Sequence, residues 1–177
     1  VIDLPVGATA KVRSDDAAAD LAERLTQVAR ALGVTVRCVM TDGEQPVGRG
    51  IGPALEAHDL LAVLRNDPDA AKDLRRRACG LAGAALELAG RAAPGDGLAL
   101  AEATLADGRA WTKFQRICEA QGGLRTPPVA PLTQPILAPR AGRVVGINNR
   151  TLARLAKLAG APDAKAAGLT LQVRLGD

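Results

Sequence analysis

Three groups of residues have types and spacings that could do chemistry. The stretch Val47-Gly48-Arg49-Gly50-Ile51-Gly52-Pro53 is a glycine-rich loop ahead of a helix start. Backbone N–H groups there could cradle a phosphate at the positive end of the helix. The spacing is neither G-x-G-x-x-G nor a Walker loop, and a tight turn needing glycine conformations is the other reading. Lys11, four residues past Gly7, stands just beyond a strand's carboxyl end, where α/β folds place ligand-binding groups. A solvated lysine is the plain alternative. Glu56 and Asp59, three apart on one helix, can both face the Gly48–Gly52 loop and offer oxygens to a hard cation, or stand as solvated carboxylates. His58 lies between them as the only histidine, but no serine or cysteine has nucleophile spacing, so no triad is expected.

These residues need elements to position them. Val1 to Val6 read as a strand. Ser14 caps a helix with Asp15 and Asp16 in its first turn and Leu21, Leu25, Val28 and Leu32 on one face, ended by Gly33. Val34 to Met40 is a β-branched run suited to a buried strand, which gives the strand-helix-strand order of a parallel α/β sheet. Pro53 opens a helix with Leu60, Leu61 and Leu64 on its apolar side. Pro68 opens another, running to about Ala92 with Leu74, Ala78, Leu81, Ala85 and Leu88 in line, and shorter helices follow over 97–107 and 109–120. Prolines between Pro127 and Pro135 make an extended connector. Beyond it, 136–147 reads as one or two strands, 149–158 as a helix and 169–175 as a strand. Three sections are therefore expected: a central α/β unit over 1–123, a linker over 124–135, and the start of a smaller C-terminal α/β domain over 136–177. Both ends are expected to lie inside a longer protein, because structure begins at the first residue and stops after a strand.

Composition narrows the function classes. Trp111 and Phe114 are the only aromatics in 177 residues, so helices are expected to pack through alanine, with that pair on a core face. The formal charge of +4 would suit a polyanion, but the basic residues are scattered. The single run, Arg75, Arg76 and Arg77, fans around a helix as a solvated face, and no nucleic-acid partner is expected. Cys38, Cys79 and Cys118 form no C-x-x-C pair and are expected to be buried reduced thiols. No apolar run reaches the roughly 18 residues that span a bilayer and no signal-peptide pattern opens the chain, so a cytoplasmic protein without a membrane partner is expected.

Two stretches carry a family resemblance. Val1-Ile2-Asp3-Leu4-Pro5-Val6-Gly7-Ala8-Thr9-Ala10-Lys11 resembles a D-x-x-x-G-x-x-A strand-loop. Thr41-Asp42-Gly43-Glu44-Gln45-Pro46-Val47-Gly48-Arg49-Gly50-Ile51-Gly52-Pro53-Ala54-Leu55-Glu56-Ala57 resembles a T-D-x-x-Q-P-x-G-x-x-x-G-x-A-L-E segment. Both patterns are those of the thymidine and pyrimidine-nucleoside phosphorylases. The wording is nearest the branch that holds archaeal AMP phosphorylase and bacterial thymidine phosphorylase relatives.

The resemblance implies phosphorolysis of an N-glycosidic bond, with inorganic phosphate as co-substrate and a free base and pentose 1-phosphate as products. The substrate is thymidine or a related nucleoside, or else a nucleoside 5′-monophosphate; a non-catalytic nucleotide-binding relative is the reading from another class. Lys11 matches a substrate-binding lysine of the AMP phosphorylase branch, with Gly7 in the same loop. Val47 and Gly50 match positions whose carbonyls hold a cation, K⁺ or Ca²⁺, and Asp59 matches a glutamate ligand there. The family's phosphate loop, its Ser-Lys-Lys helix and its proposed proton donor all match positions upstream of Val1. No catalytic residue is therefore assigned in this chain, which is expected to be inactive by itself, and the parent is expected to be a homo-oligomer.

Overall fold

The computed structural model describes residues 1–177. Strands β1 (Ile2–Val6) and β2 (Cys38–Asp42) pair in parallel, in register from Ile2 opposite Cys38 to Val6 opposite Asp42. Helix α1 (Asp15–Ala31) joins them, giving the expected α/β crossover. Its start follows from side-chain chemistry: Ser14 Oγ accepts the Ala17 N–H at 3.2 Å, satisfying a donor with no partner inside the helix. Its end follows from backbone freedom. Gly33, at φ +67°, lets its own N–H reach Arg30 O and the Val34 N–H reach Ala29 O.

The strand from Val34 is shorter and barer than expected. β2 begins only at Cys38, Met40 is 54% exposed, and Val28 and Leu32 on α1 are exposed as well. Leu4 and Ala18 are the buried members of this unit. A parallel sheet is buried when helices cover both faces of several strands, and two strands give α1 too little surface to cover.

A helical layer follows the two-residue strand β3 (Gly50–Ile51): α2 (Pro53–Leu64), α3 (Lys72–Leu88), α4 (Gly97–Ala106) and α5 (Arg109–Ala120). Pro53 occupies the first turn of α2 as expected, but Ala54, Leu61 and Val63 are its buried residues while Leu60 is exposed. Helix α3 starts four residues after Pro68, because Asp67 Oδ1 accepts the Asp69 N–H at 2.9 Å and holds a turn there. It ends at Leu88 rather than near Ala92. Its buried face is Cys79, Gly83 and Ala84, not the line through Ala78, Ala85 and Leu88. The crossing with α4 decides this. A Cβ on Gly97 would lie 2.2 Å from Gly83 O, and one on Gly83 2.6 Å from Leu98 N, so the backbones touch where neither residue has a side chain. Val63, Cys79, Ala101 and Leu105 make the small core beside this crossing.

Three side-chain expectations change. Trp111 and Phe114 stack with centroids 6.1 Å apart, and the Arg65 guanidinium sits 4.7 Å from the Trp111 centroid; the pair is half-buried rather than core. Of the thiols, Cys79 alone is buried, and burial pushes it up; Cys38 and Cys118 are half-buried, and all three are free. In the arginine run, Arg75 donates to Asn66 Oδ1 at 2.8 Å and Arg77 donates to Asp42 O, leaving only Arg76 exposed. Two guanidinium groups find acceptors because α3 lies against neighbouring turns.

Residues 121–148 form no helix or strand. The strands expected within 136–147 are absent: Ile136 and Leu137 are 87% and 82% exposed, with no partner edge to take their backbone groups. Two residues are tied down: Val144 donates to Asp177 O at 2.8 Å and accepts from the Gly176 N–H at 2.9 Å, and Arg143 Nε donates to Gly176 O at 3.0 Å. Helix α6 (Asn149–Leu158) has its expected bounds, with Asn148 Oδ1 accepting the Thr151 N–H at 3.0 Å as a cap. Strand β4 (Leu169–Thr170) is two residues long because its antiparallel partner, β3, is no longer. The chain beyond the connector thus folds back onto the loop that follows β2.

Candidate functional site

The carboxyl ends of β1 and β2 meet through glycine. Gly43 donates to Val6 O at 2.7 Å, and a Cβ on Gly7 would lie 2.4 Å from the Gly43 carbonyl carbon. Only glycine permits that approach. From Gly7 the chain makes a small loop, closed by Gly7 N–H to Val12 O at 3.1 Å and Ala10 N–H to Gly7 O at 3.0 Å. Glu44 supports it from below: Oε1 accepts the Ala8 N–H at 3.1 Å, while the Glu44 N–H is held by Asp42 Oδ1 at 2.8 Å. Lys11 stands on the outside of this loop, exposed and in none of the chain's ion pairs. An open cleft of about 430 Å³ lies alongside, with Arg13, Ser14, Asp42 and Glu44 in its walls. Lys11 and Arg13 thus stand at a strand edge that also carries the carboxylates of Asp15, Asp42 and Glu44.

The glycine loop 45–51, by contrast, is filled by the protein's own charges. Asp59 Oδ2 accepts the Arg49 and Gly50 N–H groups at 2.6 and 2.7 Å. Glu56 Oε1 accepts the Gly52 N–H at 3.0 Å, and Asp73 Oδ2 accepts the Gly48 N–H at 3.0 Å. Both helix carboxylates face the loop, as their spacing predicts, and the N–H groups a phosphate cradle would need are taken. Asp59 is brought to the loop that carries Val47 and Gly50, with Oδ2 engaged by backbone.

Arg174 completes the brace. Its guanidinium donates to Pro46 O at 3.1 Å, to Gly48 O at 2.9 Å and to Asp73. Burial alone would raise the Asp73 carboxyl, but the Gly48 N–H and the Arg174 charge outweigh it and hold the group below its usual range. Leu175 adds a bond from its N–H to Gln45 Oε1 at 3.0 Å. An open cleft of about 300 Å³ between β2 and α3 has Thr41, Asp42, Asp73, Arg76, Arg77 and Arg174 among its walls. His58 lies apart from any nucleophile, its Nε2 3.4 Å from Pro128 O in the connector.

Asp73, Arg174, Glu44, Asn149 and Arg150 escape sequence reasoning. Asp73 and Arg174 are 101 residues apart and share no pattern. Glu44 had a usable signal, since the Asp42-Gly43-Glu44 turn directly follows the strand. The Asn148-Asn149 pair opening a helix marked a cap, but nothing showed what the second asparagine would meet.

No protein-family model matches the chain. It is 67% identical over 177 residues to a protein of Chelativorans sp. (strain BNC1) called “Putative thymidine phosphorylase”, of which it covers 35%. Proteins of the same name from Parvibaculum lavamentivorans (strain DS-1 / DSM 13023 / NCIMB 13966) and Legionella pneumophila (strain Paris) are 62% and 53% identical over all of this chain, which covers 35% and 34% of them. The chain spans about a third of the length of the curated relatives it matches.

Proposed function

Since the whole chain is homologous to a segment of these thymidine phosphorylase relatives, we propose that it is part of a pentosyltransferase that splits a nucleoside with inorganic phosphate. The substrate is thymidine or a related nucleoside; the products are the free base and a (deoxy)ribose 1-phosphate. The observation that carries this reading is identity of 53–67% along all 177 residues. In the reaction the C1′–N bond breaks as a phosphate oxygen attacks C1′, and the departing base takes up a proton. This chain's contribution is binding: the Gly7–Lys11 loop forms one wall of the substrate site, with Lys11 as a compact point charge.

The exposed, unpaired Lys11, with Arg13 two residues on in the cleft wall, favours a second reading in which the substrate is a nucleoside 5′-monophosphate. A K⁺ or Ca²⁺ ion fits the oxygen chemistry of the Val47 and Gly50 carbonyls and the Asp59 carboxylate, and would brace the loop. No helix is long and apolar enough to cross a membrane. We place the parent enzyme in the cytoplasm as a homo-oligomer acting on small molecules, with no nucleic-acid or membrane partner.

The test is to incubate the full-length protein with phosphate and thymidine, uridine or AMP and to measure released base. Turnover of at least one substrate is expected, and none is expected from the 177-residue chain alone. A full-length protein that binds nucleotides yet releases no base would be a non-catalytic relative.

A further inference from the structure

We propose that Asn149, assisted by Arg150, is a positioning residue that holds the Gly7–Lys11 loop in its ligand-binding shape; this rests on the reading of Lys11 as a substrate contact. The loop has few bonds of its own, and several of its fixings come from α6, about 140 residues away in sequence. The Asn149 N–H donates to Thr9 Oγ1 at 3.2 Å, and Asn149 Nδ2 donates to Gly43 O at 2.9 Å. Gly43 is the residue against which Gly7 packs, so one asparagine holds both sides of the β1–β2 end. Arg150 donates from Nε to Thr9 O at 3.3 Å and from Nη2 to Ala10 O at 3.4 Å. The last two carbonyls before Lys11 are thereby fixed from the same helix end.

The asparagine's orientation is set by chemistry, since Gly43 O can only accept and therefore faces Nδ2. That leaves Oδ1 buried without a donor. A buried unpaired acceptor is unfavourable, so packing and the Gly43 bond hold the amide in a position that its own hydrogen bonding does not optimise. Asn149→Asp would set a carboxylate oxygen against Gly43 O, whereas Asn149→Ala removes the Gly43 bond alone, since the bond to Thr9 Oγ1 comes from the backbone N–H. Freeing the loop from the side chains of α6 therefore takes Asn149→Ala together with Arg150→Ala, which also removes the bonds to Thr9 O and Ala10 O.

In the full-length enzyme, the double variant Asn149→Ala/Arg150→Ala is expected to lower kcat/KM for AMP roughly 10-fold, mainly through KM, with a clearly smaller loss for thymidine. In a Lys11→Met background the same change should add little, because the group being positioned is gone. Equal losses on both substrates, or full additivity with Lys11→Met, would overturn the proposal. If Lys11→Met itself shows no preference between substrates, the reading of Lys11 fails instead, and a second measurement decides the positioning. Cleavage by a lysine-specific protease, mapped by mass spectrometry, should accelerate several-fold at Lys11 in the double variant Asn149→Ala/Arg150→Ala and stay unchanged at Lys113 in α5. An unchanged rate at Lys11, or equal acceleration at both sites, rules the positioning role out.

Discussion

Two loops leave the carboxyl ends of neighbouring parallel strands, and they are held in different ways. Loop 45–51, after β2, is gripped by three carboxylates and a guanidinium: Glu56, Asp59, Asp73 and Arg174. Loop 7–12, after β1, is anchored at its base by glycine contact and steadied by Glu44, Asn149 and Arg150, while Lys11 is unengaged. A loop whose N–H groups at Gly48, Arg49 and Gly50 are all held by the protein's own carboxylates acts as scaffold. One that leaves a charged side chain unpaired at a strand edge is available to a ligand. Glycine richness, the property that first draws attention to loop 45–51, therefore marks the more heavily braced of the two loops.

The comparison can be broken most forcefully at the scaffold's backbone. A Cβ on Gly50 would lie 2.5 Å from the Leu55 carbonyl carbon, inside the first turn of α2. Gly50→Ala should destabilise the chain by about 3 kcal/mol, the upper part of the range for overpacking, read as a shift in the urea midpoint. A shift near zero would mean that the loop is not packed as described.

Arg174→Met comes next. It leaves Asp73 with backbone donors only and frees two carbonyls, a loss of about 2 kcal/mol at neutral pH once partial exposure is allowed for. The Asp73 carboxyl is depressed in the folded state. Its stabilisation is therefore full above the ordinary value of 3.8 and is lost as pH falls through the lower folded value. The gap between the two proteins should narrow below about pH 4; a gap that widens on acidification would contradict the pairing.

Asp59→Ala releases the Arg49 and Gly50 N–H groups and should cost about 1–2 kcal/mol. If a cation also binds there, the loss in K⁺ buffer exceeds the loss in a buffer without it. Equal losses would leave Asp59 as a hydrogen-bond acceptor alone.

The smallest effect on stability belongs to the other loop. Lys11→Met should stay within about 0.5 kcal/mol, as an exposed lysine without an ion pair should. In the full-length enzyme the same change should penalise a nucleoside monophosphate selectively, by roughly 10-fold to 150-fold. An equal fall for thymidine would make Lys11 a structural or base-side contact.

Much of the local structure is legible in the sequence. Ser14, Gly33 and Pro53 each fix a helix end by chemistry within a few residues. The burial faces are less legible. Helix α3 turns Cys79, Gly83 and Ala84 inward because α4 approaches at Gly83, and in a helix so rich in alanine several faces look alike. The strands expected beyond the connector fail for a related reason, since β propensity yields a strand only where another edge accepts its hydrogen bonds.

For the site, the sequence alone placed Gly7 and Lys11 at a strand end and turned Glu56 and Asp59 toward the glycine loop. These depend on alternation along one strand and on spacing along one helix, both short-range. The tertiary structure decided that Arg174 and Asp73 close the scaffold and that Asn149 reaches Thr9 in the Lys11 loop. Those pairings join residues more than 100 positions apart, and a hydrogen bond records no trace of its partner in the local sequence. The fold brings the partners together only after the connector has carried residues 136–177 back across the earlier part of the chain.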